Sequence, residues 1–156
     1  MSPRLTAALL LLALPTAAPA GVRIVRVWPE HRDAGTFTRL VEYFGGQEYH
    51  FGQTVLRSRE NERAGYYFLV RTRADAPVAG ATFLVEAVLP GDPEVKAYPF
   101  HADLPAGQRV FQLGLTGADW PGAKVRPAAW RVTVRAPDGT LLTERQSFLW
   151  AGPPAK

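Results

Sequence analysis

Residues 130–150 read WRVTVRAPDGTLLTERQSFLW. Trp130, Val132 and Val134 alternate with Arg131, Thr133 and Arg135, the period-two pattern of a strand with one face in a core and the other in water. Ala136-Pro137-Asp138-Gly139-Thr140 then reverses the chain, with Asp138-Gly139 supplying residues that tolerate positive φ, and LLTERQSFLW returns as the second strand. A hairpin closing an antiparallel sheet is the expectation, and alternation assigns Trp130 to the core.

Upstream of this hairpin short β-rich runs recur with turn signals between them: TVLRS from 54, AGYYFLVRT from 64, GATFLVEAVL from 80, VKAYPFHA from 95 and RVFQLGL from 109. That spacing predicts an antiparallel sandwich or barrel, because βαβ units would need helical patterns between the strands. In the third of these runs Phe83, Val85, Ala87 and Leu89 alternate with Thr82, Leu84, Glu86 and Val88, so the first set is expected to face the core. Tyr66 and Tyr67, as chain neighbours in a strand, are expected on opposite faces. Before these runs, VRIVRVW (22–28) reads as a first strand stopped by Pro29, with Val22, Ile24 and Trp28 on one parity. Phe37, Leu40, Val41 and Phe44 stand at i, i+3, i+4 and i+7 after Asp33 and Thr36, and Gly45-Gly46 follows, which predicts a short amphipathic helix over residues 34–44. The fold class expected is mainly β, an antiparallel β-sandwich of seven to eight strands with that one helix.

The W-R-V-T-V, D-G-T-L-L and S-F-L-W segments of the final pair resemble the last two strands of an immunoglobulin-like or fibronectin type III-like sandwich. The chain beyond residue 20 is similar to a family of small uncharacterised secreted bacterial proteins, through stretches such as RAGYYFLVR, LGLTGADWP and QSFLW. The resemblance implies fold and export and brings no active site with it. The chain departs from true immunoglobulin domains in having no cysteine pair and no evident tyrosine corner.

Residues 1–20, MSPRLTAALLLLALPTAAPA, place Arg4 before an apolar run from Leu5 to Leu14, a break at Pro15 and an Ala18-Pro19-Ala20 ending. The run is shorter than the roughly 20 residues a membrane span needs, and the small residues suit a cleavage site, so a cleaved signal peptide is expected. The remaining chain is expected to be one domain over 21–150 with a flexible tail over 151–156, exported to a periplasm or beyond the cell. It offers no second apolar stretch long enough to span a bilayer. Seventeen basic side chains against 14 acidic ones leave it at +3, with arginines scattered rather than gathered into a tract, so no nucleic-acid partner is expected. The absence of cysteine excludes disulfide scaffolds, thiol catalysis and cysteine-held zinc.

Candidate chemistry is sparse. His31, His50 and His101 each have an acid nearby, but none has the spacing of a metal-binding motif, and the plainer reading is of neutral loop histidines. Ser58 and Ser147 lie outside any G-x-S-x-G motif. Glu60 and Glu62 stand beside Arg59 and Arg63 as solvated charge rather than as a glycosidase pair. Two binding candidates remain. Arg57 and Arg59 share one strand face, Arg71 and Arg73 another, and a turn of about five residues joins the runs, so a cluster of four guanidinium groups is expected if they form a hairpin. Such a cluster would hold phosphate or carboxylate groups, or else merely protect a strand edge. Trp120, beside Asp119 in the loop TGADWPG, is either a lid on the sandwich end or an exposed ring for stacking on a sugar, with Tyr43 and Tyr49 as possible companions.

Three functions are compatible with this inventory. A non-enzymatic structural or protein-interaction module of the cell envelope is favoured. A carbohydrate or envelope-polymer binding module using Trp120, Asp119, Arg57, Arg59, Arg71 and Arg73 is the alternative, and a small histidine-dependent metalloenzyme is the third. No cofactor is expected for the first two.

Overall fold

The computed structural model describes residues 21–37 and 52–151. They form eight strands: β1 (Val22–Arg32), β2 (Thr54–Arg57), β3 (Gly65–Ala74), β4 (Val78–Leu89), β5 (Asp92–Leu104), β6 (Gly107–Thr116), β7 (Ala129–Arg135) and β8 (Leu141–Gln146). One sheet has the order β1-β3-β6-β2 and the other β5-β4-β7-β8. Neighbours are antiparallel except β2 and β6, which run parallel. Among the described residues no helix is long and apolar enough to cross a membrane.

One core is shared by the two sheets. From the first come Tyr66, Phe68 and Val70 of β3 and Phe111, Leu113 and Leu115 of β6; from the second come Phe83 and Val85 of β4 and Val132 and Val134 of β7. Phe83 and Phe111 meet across the gap with ring centroids 4.5 Å apart, and Phe68 meets Trp130 edge-on at 5.9 Å. The alternation of β4 is realised as read: Ala81, Phe83, Val85 and Ala87 are buried, and Leu89 packs against the core from its margin. Each fully buried Val, Leu or Phe side chain contributes about 1.5–3 kcal/mol relative to exposure.

The final hairpin also forms. Gly139 adopts φ 87°, which a residue with a Cβ adopts only under strain, and Ala136 N–H donates to the Thr140 carbonyl at 2.9 Å. The Asp138 carboxylate accepts from Thr140 N–H at 2.9 Å, a bond that holds its pKa below the usual aspartate value. The returning strand is shorter than expected, ending at Gln146. Ser147 closes the ladder by donating its N–H to the Trp130 carbonyl and accepting the Trp130 N–H on its hydroxyl. Phe148–Ala151 then form a 3-10 turn that leaves Phe148 and Leu149 exposed.

Three further expectations are corrected. β1 continues through Pro29 to Arg32, because β1 is an edge strand and a proline there forfeits no ladder bond on its open side. A bulge between Ile24 and Arg26 breaks the parity expected of β1. β2 and β3 make no hairpin, since β2 lies against β6 and β3 lies between β1 and β6. The intervening turn is bound to β6 instead: Ser58 N–H donates to the Gly114 carbonyl at 2.8 Å, and the Thr116 amide donates to the Ser58 hydroxyl at 3.0 Å. A helix begins at residue 34, with Phe37 buried at its fourth position, and the rest of the expected helix over 34–44 lies outside the described residues.

Candidate functional site

The bulge on β1 builds the site. Before it, Val22 and Ile24 point into the core and Arg23 points out; the extra residue, Val25, then shifts the alternation by one. Val27 therefore becomes the residue packed against the core, and Arg26 and Trp28 turn to the outer face of the sheet. Directly opposed residues on adjacent strands share a face, so Arg23 stands beside Arg73, Arg26 beside Arg71, and Trp28 beside Leu69. Opposed Cα atoms lie about 5 Å apart and residues two along a strand about 7 Å apart. Four guanidinium stems thus rise from one small rectangle at the β1–β3 edge.

Trp28 anchors two of them. The guanidinium carbons of Arg26 and Arg71 stand 4.6 and 4.8 Å from its ring centroid. Each contact offers about 0.5–1 kcal/mol at an exposed site and fixes the direction of a long side chain. Among the described residues none of Arg23, Arg26, Arg71 and Arg73 forms an ion pair with a carboxylate. Like charges opposed across a strand pair destabilise a sheet. The arrangement therefore concentrates positive charge that no carboxylate among the described residues neutralises.

Lower on the same face the polar groups are satisfied internally. Arg32 donates through Nε to Glu30 at 2.7 Å and through Nη1 to the Gln112 side-chain oxygen at 2.6 Å, and the Gln112 amide donates on to Gln53 at 2.7 Å. Next to this relay, Tyr67 is fully buried although it lies on the outer face, because Phe37 covers it at a centroid distance of 5.2 Å. Gly114 makes room beneath, since a Cβ there would stand 2.5 Å from the Tyr67 ring.

The sequence-derived candidates divide accordingly. Arg71 and Arg73 belong to the cluster, but Arg57 and Arg59 do not, because the hairpin that would bring them together is absent. Arg57 donates from Nε to the Tyr67 hydroxyl at 2.9 Å and lies 4.8 Å over the Phe37 ring, while Arg59 pairs with Asp119 at 3.1 Å. Their places are taken by Arg23 and Arg26, which sequence reasoning missed: the bulge that aligns them leaves no signature in VRIVRVW. Trp120 is 6% exposed and stacks on Tyr66 at 4.5 Å with an interplanar angle of 19°, so it is the lid and presents no open ring for a sugar. The Asp119 carbonyl accepts from the Tyr98 hydroxyl at 3.3 Å. Tyr43, Tyr49 and His50 lie outside the described residues.

The remaining candidates are dispersed. His31 is on β1, 3.6 Å from Asp33, and His101 is on β5 in the other sheet, hydrogen-bonded with Thr82 at 3.1 Å. Among the described residues no three His, Cys, Asp or Glu side chains gather at metal-binding distance. Both serine hydroxyls bind backbone amides, Ser58 that of Thr116 and Ser147 that of Trp130. Comparison with protein-family models and with curated proteins gives no match.

Proposed function

We propose that the protein is a non-enzymatic, exported β-sandwich module of immunoglobulin-like type that binds an anionic envelope polymer on the outer face of its first sheet. The observation that carries this reading is the cluster of Arg23, Arg26, Arg71 and Arg73 around Trp28, with no carboxylate partner among the described residues. Guanidinium groups bind carboxylate and phosphate in a bidentate fork, and fixed spacing along two strands suits a ligand with repeated anionic groups. The immunoglobulin-like assignment is supported by strand order: with β2 set aside, β1-β3-β6 and β5-β4-β7-β8 correspond to strands A-B-E and to C′-C-F-G. Export is supported by the charged, apolar and small-residue sequence of residues 1–20.

A protein-interaction role is favoured by a different surface, the 3-10 turn where Phe148 and Leu149 are 94% and 67% exposed. The two readings separate in one experiment: co-sedimentation of the protein with peptidoglycan and insoluble acidic and neutral polysaccharides at low and high salt. Retention on acidic polymers that salt abolishes, and that R23Q/R26Q/R71Q/R73Q loses while Phe148→Ser keeps, is the expected result. Retention on no polymer, or retention indifferent to salt and to the four substitutions, overturns binding of an anionic polymer by this arginine face.

A further inference from the structure

At one end of the molecule the β4–β5 turn faces the segment between Trp120 and β7, and together they enclose an open cleft of about 710 Å³. Its floor is apolar. Leu89 and Val125 pack against the core from the cleft side, and Pro121 adds a rigid wall. Its rim is basic: Lys96, Lys124 and Arg126 line it, with Asp92 as the acid among them.

That acid is already engaged, its carboxylate lying 3.3 Å from the Lys96 ammonium four residues on in β5. Lys124 and Arg126 have no ion partner among the described residues. Arg126 instead lies over the Tyr66 ring at 5.7 Å, and Tyr66 stacks on Trp120, the residue next to Pro121. The aromatic stack thus holds a guanidinium at the rim of an apolar trough. The Trp120 indole N–H is also buried without a hydrogen-bond partner among the described residues.

We propose that this cleft binds a small amphipathic anion, an apolar chain or ring ending in a carboxylate, with its apolar part on Leu89, Pro121 and Val125 and its charge between Lys124 and Arg126. The volume is within the range of small-molecule sites, and the pattern of an apolar lining with a few convergent charges is theirs as well. A fully polar anion would leave the floor unused, and an apolar cation would meet two uncompensated positive charges. Occupancy of this cleft is independent of the arginine face, which belongs to the outer side of the other sheet.

The test is a titration of the protein with dodecanoate below its micelle concentration, read by calorimetry and tryptophan fluorescence, beside dodecyltrimethylammonium and butyrate. The expected result is saturable one-to-one binding of dodecanoate, at least tenfold weaker binding of the cationic analogue, and no measurable binding of butyrate. K124Q/R126Q is expected to weaken dodecanoate tenfold or more, Val125→Asp to abolish binding, and R23Q/R26Q/R71Q/R73Q to leave it unchanged, each variant first being shown to unfold cooperatively well above the titration temperature. The proposal is overturned if wild type shows no saturable binding, if anion and cation bind alike, if folded K124Q/R126Q binds as well as wild type, or if the arginine-face variant loses binding.

Discussion

On the outer face of the second sheet Arg131 of β7 stands directly across from Glu86 of β4, and the two form a bidentate pair at 2.6 and 3.0 Å. On the outer face of the first sheet Arg71 of β3 stands directly across from Arg26 of β1, and Arg73 across from Arg23. Both are arginines on outward faces of antiparallel pairs, one pair interior to its sheet and the other at a sheet edge, and the opposed residue differs. The Glu86 carboxylate raises the Arg131 pKa further and takes up its fork, and Trp150 lies under the guanidinium at 5.0 Å. Arg131 is thus a structural clamp, whereas Arg26 and Arg71 rest on Trp28 and, among the described residues, none of the four β1–β3 arginines meets a carboxylate. An arginine on a strand is therefore informative about binding only once its cross-strand neighbour is known, and that neighbour depends on register.

The largest effect should come from removing the feature that sets the register. Deleting Val25 forces either Arg26 inward or Val22 and Ile24 outward, and losing two buried aliphatic side chains should cost about 3–6 kcal/mol in urea denaturation. A deletion that leaves stability unchanged would mean that the bulge does not aim these arginines. Next in size, R23Q/R26Q/R71Q/R73Q should weaken binding to a soluble acidic polysaccharide on the order of a hundredfold at low salt, at about 0.7 kcal/mol for each exposed pair lost. Its melting temperature should hold or rise, because two opposed like-charge pairs disappear.

Smaller effects sharpen the contrast between the faces. Arg131→Gln leaves the largely buried Glu86 carboxylate, 13% exposed, without its fork and should lower stability by about 1 kcal/mol, a value kept modest by the one-third exposure of Arg131. Arg71→Gln, with no carboxylate to orphan, should stay within about 0.5 kcal/mol of wild type in the same measurement. Smallest of all, Glu86→Gln releases Arg131 and should raise salt-sensitive retention on an acidic polymer by about two- to threefold. No gain at all would show that charge on the second sheet is not read by the ligand.

How much of this was legible depended on the range over which each feature is encoded. The alternation of β4 and the Asp138-Gly139 turn are local, and both are realised. The helix start near residue 34 follows from Phe37 and its neighbours in the same way. β2 is different: its partner β6 lies more than fifty residues away, and nothing in TVLRS distinguishes pairing with β6 from a hairpin with β3. That non-local choice separates Arg57 and Arg59 from Arg71 and Arg73. Pro29 was misleading for a related reason, since a proline stops a central strand but not an edge strand, and edge position is a property of the whole sheet. The bulge at Val25 is the least visible feature, because a β-branched residue in a β-rich run gives no sign of being the extra one.

The most direct test of the central claim is the movement of the arginine Nε–H resonances in NMR as a soluble polyuronate oligosaccharide is titrated in. The account requires Arg23, Arg26, Arg71 and Arg73 to shift together and saturably, the shifts to vanish in high salt, and Arg131 to stay fixed on Glu86. Shifts confined to Arg131 or to the second sheet, or no shift at the four arginines at saturating ligand, would contradict it.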